Sequence, residues 1–443
     1  MGGTGRAWQR HWGMPMFLSP DDAAALVRPR DSIGFGLGPG IPHAFLTALG
    51  RRLDWEDLQM GGALLLDLYA VCNHPGVSYR AGFFGPVERA LAAAGHRVEH
   101  VPGGFRQFAP ILAQFAPRVM AVQCAPGDDD RVHLSLHVGA TRAELVAAGR
   151  DPDRLLVVER NPHLPRTSGI EPEHPATLPL DLVDVVVDVD HEPFVLPEPA
   201  PTEVERAVAD HACRFVPDGA TLQTGIGAVP SVVAATLAAG PGGDYGVHSE
   251  MFTDGLRLLH EAGKITNAHK GIFPGRSVTT FALGSAELYR WLDGNDTVAF
   301  LPVELVNDPA LIARNPAMVS INGALAIDLY GQVVADHIGG AQISGVGGHE
   351  DFIAGTELRL DSHALVCLTS TVTIGGEVRS RITTELAAGS IVSTPRHHLD
   401  VVVTEHGSAE LRGLTVRERA EALAAIADPA FRDELFDAAK RLT

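Results

Sequence analysis

Cysteine is scarce in this chain: Cys72, Cys124, Cys213 and Cys367 lie far apart, and no two form a C-x-x-C pair. That spacing excludes a disulfide framework and a zinc knuckle, and it fits a reducing cytoplasm. Lysine is rarer still, with only Lys264, Lys270 and Lys440, and arginine carries the remaining positive charge. There is no basic block, and the net charge is −19. A nucleic-acid partner would need a basic stripe to displace counterions, so that class is set aside. Long apolar runs are also missing, and nothing approaches the roughly 18 uncharged residues of a membrane span. The first residues, M-G-G-T-G-R-A-W-Q-R-H-W, lack the apolar centre of a signal peptide. The expectation is a cytoplasmic protein with no membrane partner.

What is present is alternation. Short aliphatic runs at Arg154–Glu159, Val183–Val189, Ala364–Leu368 and Asp400–Thr404 predict strands, and Pro20–Val27, Thr202–Phe215 and Val416–Ile426 predict helices. Ser19 reads as an N-cap, with Pro20 in the first helical position. Such alternation predicts an α/β fold with mainly parallel strands. Four prolines between His191 and Thr202 disfavour helix and central strand alike. They divide the chain into an N-terminal α/β domain, 1–190, a linker, 191–202, and a C-terminal α/β domain, 203–443. The halves share a pattern: V-R-P-R-D-S-I-G-F-G-L-G-P-G-I-P from Val27, and F-V-P-D-G-A-T-L-Q-T-G-I-G-A-V-P from Phe215. Each runs from a turn through a short strand to a Gly-rich loop and a Pro-started helix. Duplication of one α/β domain and chance both stay open on this pair alone.

Two glycine loops invite a ligand. Gly225, Ile226, Gly227, Ala228 and Val229 sit between a strand and a helix, where backbone N–H groups and the helix N-terminus favour anions. A tight structural turn is the rival reading. The second cluster, Gly339 to Gly348, packs five glycines into ten residues, either to let a ligand lie on its backbone or to turn sharply. The histidines offer no metal spacing: His133 and His137 read as neighbours on one face of a strand, and no H-E-x-x-H occurs, so no metal is expected. The absence of G-x-S-x-G counts against a serine hydrolase of the α/β type.

That leaves carboxylates. In D-Y-G-V-H-S-E-M-F-T-D-G, residues 244–255, Glu250 follows a strand-like run and precedes a helical one. By itself a Glu there is a solvated turn residue, or a carboxylate presented at a strand end to attack an acyl group. Its distance from Gly225, 25 positions, also comes near the ribose-binding acid of a dinucleotide site. An NAD-dependent oxidoreductase is therefore a further reading, weakened by the missing third glycine.

The ordered stretches G-V-H-S-E-M-F-T-D-G, G-K-I-T-N, V-N-D-P, S-I-N-G-A-L-A-I-D-L-Y-G-Q, S-G-V-G-G-H-E-D-F, S-R-I-T and V-V-V-T-E-H-G-S-A-E-L-R-G decide between these. Together they resemble the acetyl-CoA hydrolase/transferase family, and within it the 4-hydroxybutyrate CoA-transferase type of family I CoA-transferases. The resemblance runs strongly from about Thr221 to Leu435 and more loosely through G-L-G-P-G-I-P and R-N-P-H-L-P-R-T-S-G. It implies two similar open α/β domains with the active site between them. It also implies coenzyme A and acyl-CoA as substrates, no metal, small carboxylate partners, and a homodimer or larger assembly. Glu250 falls on the family's catalytic glutamate, which works through a glutamyl-CoA thioester. Asn307, Gly347 and Gly348 fall on its oxyanion-stabilising positions, and Gly345, Gly347, Gly348 and the Gly225–Val229 turn fall on its CoA contacts.

The chain departs from the pattern in a minor way at Ser249, where the usual T-E-M-F reads S-E-M-F, and more heavily at two other places. His349 stands where relatives carry Gln, and Glu350 where they carry an aliphatic residue. A CoA-assisting Lys is missing from the Thr369–Ile382 segment, where Arg379 is the nearest substitute. The rival functions are an acyl-CoA hydrolase using the same Glu250 and a CoA-binding homologue without turnover.

Overall fold

The computed structural model describes residues 14–128, 130–197 and 200–442. The N-terminal twelve residues read above, and Pro199 of the proline-rich segment, lie outside the described residues. The chain forms two open, mainly parallel sheets. The first orders its principal strands Met16–Phe17, Val185–Asp188, Leu155–Arg160, Val119–Pro126, Arg30–Phe35, Asp57–Gly62, Val77–Ala81 and Val98–His100, all parallel. The second orders Gly246–Val247, Thr221–Thr224, Met318–Gly323, His363–Cys367 and Val401–Thr404 in parallel, closed by antiparallel Gly407–Glu410.

Sequence chemistry accounts for these elements. Val119–Ala125 is buried residue after residue, as a parallel strand covered on both faces requires. Ser19 Oγ accepts from Asp22 N at 3.1 Å and starts the helix Pro20–Ala24. Thr202 with Glu205, and Thr415 with Glu418, form capping boxes for Glu203–Ala212 and Val416–Ala425. Two expected helices end early in their last turns. Leu26 N and Val27 N bond three residues back, to Ala23 O and Ala24 O, and Cys213–Phe215 is a 3-10 turn. The expected strand through His133 and His137 stops at His133. Ser135 there adopts φ +60°, and the two histidines part: His133 Nδ1 meets Thr167 O, and His137 Nε2 meets Thr141 Oγ1.

Strand order explains where ligands can lie. In the first sheet the chain leaves Arg30–Phe35 toward one edge and later returns to its other side at Val119–Pro126. In the second it leaves Thr221–Thr224 toward Gly246–Val247 and returns at Met318–Gly323. Each central strand therefore flanks a topological switch point, where the crevice beyond the carboxyl ends opens. The two Gly-rich loops, after Phe35 and after Thr224, occupy these equivalent places.

The parts are sewn together by backbone bonds. Ala282 N donates to Leu136 O at 2.8 Å, Val303 N to Gly139 O at 3.1 Å, and Phe105 N to Gly347 O at 2.9 Å. An apolar cluster of Leu37, Phe105, Phe108, Met251, Phe281 and Val303, among others, packs across the same seam. Among the described residues no helix is long and apolar enough to cross a membrane, and no cluster of three His, Cys, Asp or Glu could hold a metal.

Candidate active site at the seam

Glu250 does not sit on a simple strand-to-helix turn. Gly246–Val247 pairs with Thr221–Leu222, the chain bends through His248 and Ser249, and Met251–Phe252 then pairs with Phe281–Ala282. The helix follows at Asp254–Glu261. Buried groups fix this bend. His248 is fully buried, and burial pushes it down to about 3, so it is neutral. Asn315 Nδ2 approaches its Nδ1 at 3.1 Å and its Nε2 lies 2.8 Å from Val306 O. That pairing places the ring proton on Nε2. Ser249 Oγ donates to Met251 O at 2.8 Å and accepts from Thr224 N at 3.4 Å, tying the bend to the start of the Gly225 turn. Glu250 O accepts from Thr280 N at 2.9 Å and Thr280 Oγ1 at 2.8 Å, with Thr279 Oγ1 at 3.0 Å.

With the backbone held, the carboxylate points at the second glycine cluster. Asn307, at the end of the short helix Val303–Val306, donates from Nδ2 to Glu250 Oε2 at 2.7 Å. The same Nδ2 lies 3.1 Å from Asp351 Oδ2. Asp351 is buried in the first turn of His349–Glu357, with Arg106 Nε 3.1 Å from its Oδ1. Burial pushes Glu250 up to about 8; Asp351's charge adds to the rise and Asn307's hydrogen bond opposes it. Burial also raises Asp351. A carboxyl held in this way is poised near neutrality, as a group with a chemical task is.

Gly347 and Gly348 lie against Glu250. A Cβ on Gly348 would collide with Glu250 Oε2 and sit 2.5 Å from Asn307 Nδ2. Gly347 takes φ +55°, which glycine adopts cheaply. Among the described residues, no protein acceptor takes the N–H of Gly347 or Gly348, and both precede a nine-residue helix. Two free donors at a helix N-terminus beside a carboxylate can hold a developing oxyanion.

The structure thus brings Glu250, Asn307, Gly347 and Gly348 together. Gly345 lies one step away, against Gly82 and Phe83 of the first half. The Gly225–Val229 turn stands at the neighbouring switch point, and Thr224 just before it bonds to Ser249 beside Glu250, with Gly227 at φ +125°. In the second cluster, Gly339 and Gly340 are a hairpin turn between His337–Ile338 and Ala341–Gln342, so only its latter part reaches the site. His349 bonds to Thr394 Oγ1 at 2.8 Å, and Glu350 contacts Thr394 and His398, so both side chains engage residues 394–398. Arg379 is on an exposed hairpin, paired with Glu377 at 2.7 Å. Asp351, Arg106, Thr279 and Thr280 were not singled out by the sequence reading. Asp351 alone carried a local signal, one helical turn beyond Gly348 in G-G-H-E-D-F.

Comparison with known proteins identifies the family. The chain is 33% identical to the probable butyrate:acetyl-CoA coenzyme A-transferase of Syntrophomonas wolfei subsp. wolfei, over 96% of this chain and 95% of the relative. The solved structure of RipA from Yersinia pestis superposes with a TM-score of 0.88 at 30% identity, covering 96% of this chain and 97% of RipA. The 4-hydroxybutyrate CoA-transferase of Porphyromonas gingivalis gives 0.76 at 28% identity, covering 96% and 97%. Residues 284–439 match the model of the acetyl-CoA hydrolase/transferase C-terminal domain. The chain belongs to the acetyl-CoA hydrolase/transferase family, in the company of its butyrate and 4-hydroxybutyrate CoA-transferases.

Proposed function

We propose that this protein is an acyl-CoA:carboxylate CoA-transferase working by ping-pong through a glutamyl-CoA thioester on Glu250. The observation that carries the mechanism is the Glu250 carboxylate, braced by Asn307 at 2.7 Å and packed against Gly347 and Gly348. In the first step a Glu250 oxygen attacks the thioester carbonyl and the C–S bond breaks. This leaves an acyl-glutamyl anhydride and CoA thiolate. The thiolate then attacks the glutamyl carbonyl, its C–O bond breaks, and the first carboxylate departs. An acceptor carboxylate runs the same steps in reverse and leaves as acyl-CoA. Each addition passes through an oxyanion, for which Asn307 Nδ2 and the two glycine N–H groups are the proposed donors.

The division 1–190, 191–202 and 203–443 belongs to the same proposal. It is supported by the first sheet drawing its strands from residues 16–188 and the second from 221–410. Arg381 is a better-placed cation for CoA than Arg379, being half-buried and donating to Ala324 O just beyond Met318–Gly323. A homodimer or larger assembly rests on family likeness alone, and a cytoplasmic location on the scattered cysteines.

The test incubates the protein with acyl-CoA, with and without a second carboxylate. New acyl-CoA that forms only with acceptor, and a CoA adduct on the Glu250 peptide by mass spectrometry, are expected. Free CoA released equally fast without acceptor would make it a hydrolase. Tight CoA binding with no adduct would make it a non-catalytic homologue.

The attack needs ionised Glu250, whose carboxyl is held at about 8. Turnover per unit of free enzyme should therefore rise with pH and level off above about 8, being lower by roughly a hundredfold two units below. A flat kcat/KM between pH 6 and pH 8.5 would contradict this.

A further inference from the structure

The Asn307 amide has two ends of nearly equal shape and opposite chemistry, and its surroundings decide which end faces Glu250. Its Nδ2 lies 2.7 Å from Glu250 Oε2 and 3.1 Å from Asp351 Oδ2, one acceptor for each hydrogen. The other end is left over: Asn307 Oδ1 is buried with no hydrogen-bond partner among the described residues. A buried carbonyl oxygen without a donor is unfavourable, and it persists where stronger groups dictate the orientation. Turning the amide over would set Oδ1 against two carboxylate oxygens, which only accept.

Glu250 cannot impose this orientation throughout the reaction. In the proposed route its carboxylate becomes first an anhydride and then a thioester, and in both it has lost its charge. Attack on either puts negative charge on the glutamyl carbonyl oxygen. With Oε2 as that oxygen, the charge develops where Asn307 Nδ2 points. At that stage Asp351 is the charged acceptor that remains on Nδ2 among the described residues.

Asp351 is itself held from the first half of the chain. Arg106 N donates to its Oδ2 at 3.3 Å, and Arg106 Nε stands 3.1 Å from its Oδ1. Gly104 packs so closely that a Cβ there would lie 3.4 Å from the same Oδ1. One residue before Arg106, Phe105 N donates to Gly347 O at 2.9 Å. The turn 104–107 thus grips the second half at two adjoining points, the glycine loop and Asp351. Burial raises Asp351, and the hydrogen bonds from Asn307 and Arg106, with the Arg106 charge, oppose that rise. Glu350, on the same helix, adds to it, and His349 on that turn is pushed down to about 4 by burial, hence neutral. The protonation state matters to Asn307. A carboxylate only accepts and admits one orientation of the amide, whereas a carboxylic acid also donates and admits both.

Resting on the transferase reading, we infer that Asp351 and Arg106 are positioning residues. Asp351, paired with Arg106 from the other half, keeps Asn307 Nδ2 aimed at the glutamyl carbonyl while Glu250 carries an acyl group or CoA. The test isolates one step. Protein is loaded on Glu250 from acetyl-, butyryl- or 4-hydroxybutyryl-CoA, freed of small molecules by gel filtration and mixed with acetate. An acetate oxygen then bonds to the glutamyl carbon, the C–S bond breaks and CoA thiolate leaves, and quenched mass spectrometry times the loss of the adduct. Wild-type discharge should be constant from pH 6.5 to pH 8.5, since acetate is ionised throughout and thioester-bound Glu250 has no proton to lose. Asp351→Leu, of similar size without an acceptor, should slow discharge about ten- to a hundredfold at every pH, with half-saturating acetate little changed. Arg106 is half-exposed, so Arg106→Ala tests the same idea without disturbing the core. It should slow discharge most at pH 6.5 and recover as the pH rises and Asp351 ionises, with Arg106→Lys closer to wild type. Discharge at the wild-type rate in a folded Asp351→Leu, or a loss in Arg106→Ala that ignores pH, overturns the inference and leaves the transferase reading standing. If wild type takes up no CoA on Glu250 from any of the three donors, the transferase reading fails and this role falls with it.

Discussion

Glu250→Ala should abolish CoA transfer, lowering kcat by about 10⁴-fold or more, while the protein folds as before. Among the described residues, the other carboxylate bonded to Asn307 is Asp351, which is buried and held by Asn307 and Arg106. Removal of a covalent nucleophile leaves only binding and oxyanion stabilisation, which give no route through an enzyme thioester. Steady-state kinetics and the disappearance of the Glu250 adduct check this, and retained activity would remove the mechanism. Glu250→Gln separates chemistry from stability. The native carboxyl is raised to about 8 from an unfolded value of 4.5. Between those values the folded state binds the extra proton, so stability falls as pH rises through that window. The glutamine variant escapes this penalty. It should melt higher than wild type at pH 8, by a few degrees, and no higher at pH 4.5. An inactive variant with a raised melting point at pH 8 identifies a carboxylate kept at a cost to stability for what it does.

Much of this was readable from residue order, and the exceptions share a cause. Leu155–Arg160 and His363–Cys367 fall within one residue of the expected strands because an aliphatic run bounded by turns is a local signal. The parallel architecture followed from alternation, and Glu250, Asn307, Gly347 and Gly348 were carried by long ordered motifs. Arg106 was invisible because it meets Asp351 across 245 positions, and nothing local marks such a partner. Thr279 and Thr280 look like ordinary strand residues until the fold lays their hydroxyls on Glu250 O. The break at Ser135 was also hidden, since alternation there continues past the residue that turns. The near-fit of Glu250 to a ribose-binding acid fails for a spatial reason. The carboxylate faces Asn307 and Gly348, whereas Ser249, not Glu250, bonds to Thr224 at the start of the Gly225 turn.

Gly348→Ala should cost nearly as much activity as any change outside Glu250, and for a purely steric reason. Gly348 has φ −91° and ψ 8°, a bridge-region conformation that non-glycine residues adopt in type I turns. The added methyl, however, would occupy the place of Glu250 Oε2, 2.9 Å from Glu250 Cδ and 2.5 Å from Asn307 Nδ2. Either the carboxylate swings away from Asn307 or the glycine loop withdraws with its free N–H groups. A displacement of about 1 Å at reacting atoms is worth about 10² in rate. The expected result is a fall in kcat of about 10²–10³-fold, slower adduct formation, and a small change in melting temperature. Gly347→Ala provides the contrast. Its φ of +55° puts alanine in the left-handed region at about 1–2 kcal/mol, while its Cβ would lie 3.6 Å from Glu250 Oε1, an ordinary contact. That variant should lose stability first and rate second. If the two alanines behaved alike, the loop would matter only as a turn. If Gly348→Ala alone kept its stability and lost its rate, the missing Cβ is what lets the carboxylate stand against its oxyanion donors.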